Sequence, residues 1–142
     1  MRYVIAVDPG DRHVGLAIWA EGYWWTEEVD ADEAATVVDG KLYDIGGGRT
    51  AMTLVLEEFR LYPDKAGAQA YSPMETAQMI GALKWIAKER GAQVVEQGAG
   101  IKKATRAQLG ARGIKLVGTG SHARDAELHL VHFLLKEKIW SP

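Results

Sequence analysis

The first readable pattern is an apolar, β-branched run from Tyr3 to Val7, which predicts a strand, followed by Asp8-Pro9-Gly10, which is turn chemistry. His13 to Ala20 predicts a second strand, Glu21-Gly22 a tight turn, and Tyr23 to Val29 a third strand. Three strands with such short connections describe an antiparallel meander. Residues 30–38 suit a short helix, Gly46-Gly47-Gly48 a loop, and Met52 to Phe59 a fourth strand. Ser72-Pro73-Met74-Glu75 has serine where an N-cap belongs, proline at the first helical position, and a glutamate that closes a capping box. The helix it opens runs to Arg90, with Gly91 at its C-cap. Ala92 to Glu96 is a fifth short strand, Lys102 to Leu109 a helix, and His122 to Lys138 a longer one.

Strands separated by helices pair in parallel through right-handed crossovers. The order βββ-α-β-α-β-α-α therefore predicts an α/β fold. It has a mixed five-stranded sheet, three antiparallel strands and then two parallel ones, with helices on both faces. No linker, repeat or low-complexity segment divides the 142 residues, so residues 1–142 are expected to form one domain.

Composition narrows the function classes. There is no cysteine, which excludes disulfides and thiolate chemistry and suits a reducing interior. Asp8 interrupts the one apolar N-terminal run, so no signal peptide is expected, and no apolar stretch approaches the roughly 20 residues that cross a bilayer. A net charge of −2 argues against a general nucleic-acid coat protein. The charge is unevenly spread: residues 1–58 hold 12 acids and 4 bases, whereas residues 97–124 hold six bases, Lys102, Lys103, Arg106, Arg112, Lys115 and Arg124, and no acid. Such a split fits metal bound in one region and phosphate in another, although two solvated faces also account for it.

Candidate chemistry lies at element ends. Asp8 ends a strand beside a sharp bend, where a carboxylate can hold a cation or simply bond its own backbone. Gly15 lets the second strand return closely. Glu57 and Glu58 end the fourth strand on opposite faces, and either a ligand or a solvated strand end fits that position. His122 and Asp125 lie three apart and share a face of the last helix, and His129 and His132 extend the stripe. That helix is apolar nearly all round and is expected to be buried, which suits His129 and His132 as satisfied core or surface histidines. Of Trp24 and Trp25, alternation lets one face the core while the other covers sheet, with base stacking the less favoured use. Carboxylates and a His-x-x-Asp pair from three elements make an oxygen-rich set suited to Mg²⁺ or Mn²⁺.

Val-Asp-Pro-Gly-Asp-Arg-His-Val-Gly-Leu-Ala at 7–17 resembles the first-strand motif of RuvC-type Holliday junction resolvases, a branch of the RNase H-like superfamily. Leu-Val-Leu-Glu-Glu-Phe at 54–59 resembles their central-strand glutamate motif, and Ser-His-Ala-Arg-Asp-Ala at 121–126 their C-terminal motif, where some members have His and others a second Asp. The first motif also occurs in YqgF-type nucleases; the glutamate and the His-x-x-Asp pair shift the match to RuvC.

The resemblance implies that Asp8, Glu57 and Asp125 are metal-binding carboxylates, with Glu57 preferred to Glu58, and that His122 is a ligand or proton carrier. It implies a phosphate-facing lysine after the fifth strand, where Lys103 fits best by count and Lys102 next, with Arg106 in the same basic segment. The proline usual before that lysine is replaced by Gly98-Ala99-Gly100. An aromatic wedge beside a junction crossover would be Phe59 or Tyr62. The implied enzyme is a cytoplasmic, Mg²⁺- or Mn²⁺-dependent endonuclease on four-way or other branched DNA. Its expected state is a homodimer that uses the Met79, Ala82, Leu83 and Ile86 face of helix 73–90. The chain's shortness points to a phage or otherwise reduced member. The alternatives are a YqgF-type nuclease acting on RNA and a catalytically dead nucleic-acid-binding domain.

Overall fold

The structure, a computed structural model, describes residues 2–10, 12–45, 51–59 and 71–142, the side chains of 71–73 excepted. The Gly46-Gly47-Gly48 loop and Tyr62 lie outside the described residues. Three strands come first, β1 (Arg2–Asp8), β2 (His13–Ala20) and β3 (Tyr23–Asp30). They are followed by α1 (Ala34–Ile45), β4 (Ala51–Glu57), α2 (Tyr71–Glu89), β5 (Gln93–Gln97), α3 (Ile101–Ala111) and α4 (Ser121–Lys136). The sheet order is β3-β2-β1-β4-β5; β1–β2 and β2–β3 pair antiparallel, β1–β4 and β4–β5 parallel. This is the expected mixed five-stranded α/β architecture.

Side-chain alternation sorts the sheet into two cores. Tyr3, Ile5 and Val7 of β1 join Leu54 and Leu56 of β4 and pack under Val38 and Leu42 of α1 and Leu83 and Ala87 of α2. Val4 and Ala6 of β1 join Ala17, Trp19 and Val55 on the other face and pack under Ala126, Leu130, Phe133 and Leu134 of α4. Because both faces are covered, β1 is buried from Tyr3 to Asp8 without interruption. α3 packs on α4 rather than centrally on the sheet.

Several boundaries depart from expectation. The helix expected at 30–38 is α1, Ala34–Ile45, because β3 stays paired through Asp30, opposite His13. β4 ends at Glu57, two residues short of Phe59. α2 begins at Tyr71, ahead of the expected Ser72 cap, and stops at Glu89, ahead of Gly91. Its apolar face does not stand free for a partner copy: Leu83 is buried, Met79 and Ile86 pack against the chain's own core, and only Ala82 of the four is exposed. The β2–β3 turn is as expected, with Glu21 and Gly22 at φ 55° and 94°, the left-handed conformations of a tight hairpin. Both tryptophans of β3 are used internally. Trp24 meets Trp140 edge-on at 5.0 Å on the α4 face, and Trp25 packs on the α1–α2 core, so each faces a covered side of the sheet.

Candidate active site

Asp8, Glu57 and Gln97 are the last residues of β1, β4 and β5, the three mutually parallel strands. Val7 pairs with Leu56, so Asp8 and Glu57 are each one step beyond the last pair, and Glu57 pairs with Gln97. Asp8 has the parity of Val4 and Ala6, and Glu57 that of Val55. Both therefore point to the face that α4 covers. The carboxyl edge of parallel strands is where α/β folds generally place ligands.

α4 reaches this edge because its stripe is apolar enough to lie on β1 and β2, and because Gly15 has no side chain. A Cβ at Gly15 would lie 2.0 Å from the His122 carbonyl oxygen and 2.6 Å from the Ala123 amide nitrogen. The close approach at Gly15 is thus to the first turn of α4, which corrects the expectation that it serves the return of β2. Gly120, the residue before α4, makes no side-chain cap, and the Glu28 carboxylate stands beside it at the positive end of the helix.

Seated in this way, α4 sets three residues against the strand ends. His122 Nδ1 lies 2.7 Å from Asp8 Oδ2, and His129 Nε2 lies 3.2 Å from Glu57 Oε1. Asp125, between them, meets Lys102 from the first turn of α3: the ammonium is 3.3 Å from Asp125 Oδ2 and 2.9 Å from Glu57 Oε1. Asp8, Glu57, His122 and Asp125 are thus brought into one neighbourhood from β1, β4 and α4. Lys102 turns into it, while Lys103 stays exposed on α3. Arg106 is exposed farther along α3. Phe59 is 37% exposed and lines a cavity of about 450 Å³ with Pro9, Glu57 and Gly98 to Gly100.

The electrostatics follow from this crowding. Burial pushes the Asp8 carboxyl above its ordinary value; Asp125 and Glu57 add to this, and the His122 hydrogen bond opposes it. Glu57 is held down to about 2, first by the His129 hydrogen bond and then, against burial, by Lys102. Burial works against the Lys102 charge, but Glu57 and Asp125 outweigh it and raise the ammonium's pKa.

Among the described residues, no group of three or more His, Asp and Glu side chains is gathered tightly enough to hold a metal ion. The donor chemistry nevertheless fits a hard divalent cation, with three carboxylates and an imidazole at one sheet edge. A cation, the Lys102 ammonium, already bridges two of those carboxylates.

Sequence reasoning missed Gln97 and placed His129 in the core without linking it to the site. The polar residue that ends β5 in register with Glu57, and the i+4 spacing from Asp125 to His129, are the signals that pointed there. It also missed Glu127, a buried carboxylate that accepts the Trp24 indole N–H at 2.8 Å and the Val117 and Gly118 amides at 2.8 and 2.9 Å. Those bonds hold the segment leading into α4.

No protein-family model and no curated protein matches the sequence. Solved structures do match. Thermus thermophilus RuvC in complex with a Holliday junction substrate aligns at TM-score 0.67 and 22% identity over 96% of both chains. Another structure of Thermus thermophilus RuvC aligns at 0.62 and 21%, again over 96% of each. A Pseudomonas aeruginosa protein with similarity to the peptidase YEAZ aligns at 0.51 and 15%, over 80% of this chain and 50% of that one. The chain has a RuvC-like fold of the RNase H-like kind.

Proposed function

We propose that this protein is a divalent-metal-dependent endonuclease that cleaves four-way or other branched DNA. The observation that carries the reading is the gathering of Asp8, Glu57, Asp125 and His122 at the carboxyl edge of the parallel strands, in a fold shared with a RuvC bound to a Holliday junction. Asp8, Glu57 and Asp125, with His122 as a further donor, would hold Mg²⁺ or Mn²⁺. Ions bound there would activate water and stabilise the leaving oxygen of a phosphodiester.

The chain's own groups have separable tasks in this reading. An ionised Asp8 can only accept from His122 Nδ1–H, which leaves Nε2 as the one ring nitrogen for either a metal or a proton in transfer. Lys102 neutralises part of the charge that Glu57 and Asp125 bring together. Lys103 and Arg106, exposed on α3, would track the flanking backbone, and Phe59, which lines a cavity with Glu57, would serve as the wedge. Symmetric cleavage of a four-way junction requires two sites related by a two-fold axis, so the working unit is a homodimer. Since most of the expected face of α2 is spent on the chain's own core, Met74 and the 62%-exposed Trp85 are the large exposed hydrophobics among the described residues of α2.

The test is cleavage of synthetic four-way junctions, matched linear duplexes and structured RNA with Mg²⁺ or Mn²⁺, with Asp8→Asn as the control. Preferential, metal-dependent cutting of the junction that Asp8→Asn abolishes supports the reading. Cutting of RNA alone would establish the YqgF-type alternative, and binding without cutting the inactive one.

A further inference from the structure

His129 is fully buried on α4, and both its ring nitrogens are engaged. Gln97 Nε2 lies 2.9 Å from the His129 carbonyl oxygen and 3.0 Å from His129 Nδ1. A carbonyl oxygen only accepts, so the group facing it is the amide NH₂; the flipped amide would set two oxygens against each other. The second amide proton then points at Nδ1, which must accept it. Nδ1 therefore carries no proton, and the neutral ring carries its proton on Nε2, aimed at Glu57 Oε1 at 3.2 Å.

From this geometry we infer that Gln97 and His129 are positioning residues. Gln97 fixes the His129 tautomer, and His129 then holds the Glu57 carboxylate in the orientation in which it receives a divalent cation. The chemistry resembles the outer partners of metal sites, in which a hydrogen-bonded second group sets the direction and basicity of the ligand. Here the ligand is a carboxylate and the orienting group an imidazole. Lys102 also donates to Oε1, so two donors hold the same oxygen. Lys102 is a flexible side chain at the site's edge, whereas His129 is locked by packing. The constraint that persists when Lys102 moves is therefore His129. The register of β5 on β4 places Gln97 beside Glu57, and the i+4 step on α4 places His129 below Asp125. Without Gln97, the buried ring could place its proton on either nitrogen, and the Nδ1–H form would turn a lone pair toward the carboxylate.

The inference rests on the proposed metal-dependent function, but its test does not require cleavage. Long-range ¹H–¹⁵N correlation of the histidine rings in the metal-free protein should show His129 as the Nε2–H tautomer, and Gln97→Leu should lose that single form. Titration calorimetry with Mn²⁺, without nucleic acid, should show His129→Leu binding about 10-fold or more weaker, the usual scale for losing such a partner. His129→Gln, which keeps an N–H donor, should recover most of that loss. An Nδ1–H tautomer or a charged imidazolium in the parent protein would overturn the inference. So would His129→Leu binding Mn²⁺ as the parent does. If His129→Leu does not fold, the parent ring spectrum still decides. A protein that binds Mn²⁺ through this arrangement and cleaves nothing would refute the proposed function and leave the inference standing.

Discussion

Gly15→Ala is the sharpest single perturbation the structure offers. Gly15 lies opposite Asp8 in the β1–β2 pair, and the first turn of α4 rests directly on it. The added Cβ would fall 2.0 and 2.2 Å from the carbonyl oxygen and carbon of His122 and 2.6 Å from the Ala123 nitrogen. All three are backbone atoms, so no rotamer change relieves the clash; either α4 lifts or β2 bulges. Overpacking of this kind costs about 1–3 kcal/mol. In a chain of this length that lowers the melting temperature by about 3–9 °C. Lifting α4 also lengthens the 2.7 Å His122–Asp8 contact, and a misplacement of about 1 Å in a catalytic group costs on the order of 10² in rate. Gly40→Ala and Gly81→Ala are the matched controls: both lie in helices, with nothing within 4 Å of the new Cβ. Each should stabilise by about 0.5–1 kcal/mol. Thermal melts by circular dichroism, paired with junction-cleavage rates, read both effects. A Gly15→Ala protein that melts and cleaves like the parent would refute the seating of α4 on β2.

Glu57 gives a pH signature in metal-free protein. Its folded pKa of about 2 lies below the ordinary 4.5, so its stabilisation is complete above about 4.5 and disappears as pH falls toward 2. Allowing for partial exposure and screening, this is about 1–2 kcal/mol, and Glu57→Gln should flatten the melting temperature against pH in that window. An unchanged acid slope would mean that the His129 and Lys102 contacts do not hold in solution. His122→Ala should slow cleavage by about 10²-fold or more, and His122→Asp should keep part of the rate; an unaltered rate in the alanine protein would reduce His122 to a helix-start residue. In Ca²⁺-supported binding, Lys103→Ala should flatten the salt dependence of junction affinity by about 1 unit, one phosphate contact. Lys102→Ala should change it less, because its ammonium is turned onto Glu57 and Asp125; equal slopes for both would contradict that placement.

What the sequence determined by itself is what local chemistry controls. Alternating or continuous apolar runs predicted all five strands, because burial on one or two faces imposes those periods directly. Asp8 and Glu57 were legible as candidates because each is the first carboxylate after an apolar run. α4 was legible because a helix apolar nearly all round has to be covered. The tertiary structure decided whatever depends on how elements meet. Lys102 and Lys103 are neighbours separated by about 100° around α3, and only the docking of α3 on α4 selects which one reaches the carboxylates. The apolar face of α2 reads the same whether it covers its own sheet or a partner's. Gly15 is an ordinary strand glycine until the backbone of His122 comes to rest on it. Gln97 and His129, 32 residues apart, become partners only when β5 lies parallel to β4 and α4 crosses their ends. Hydrogen bonds of that kind leave no period in the chain, because each partner satisfies the other across space and neither constrains its own neighbours in sequence.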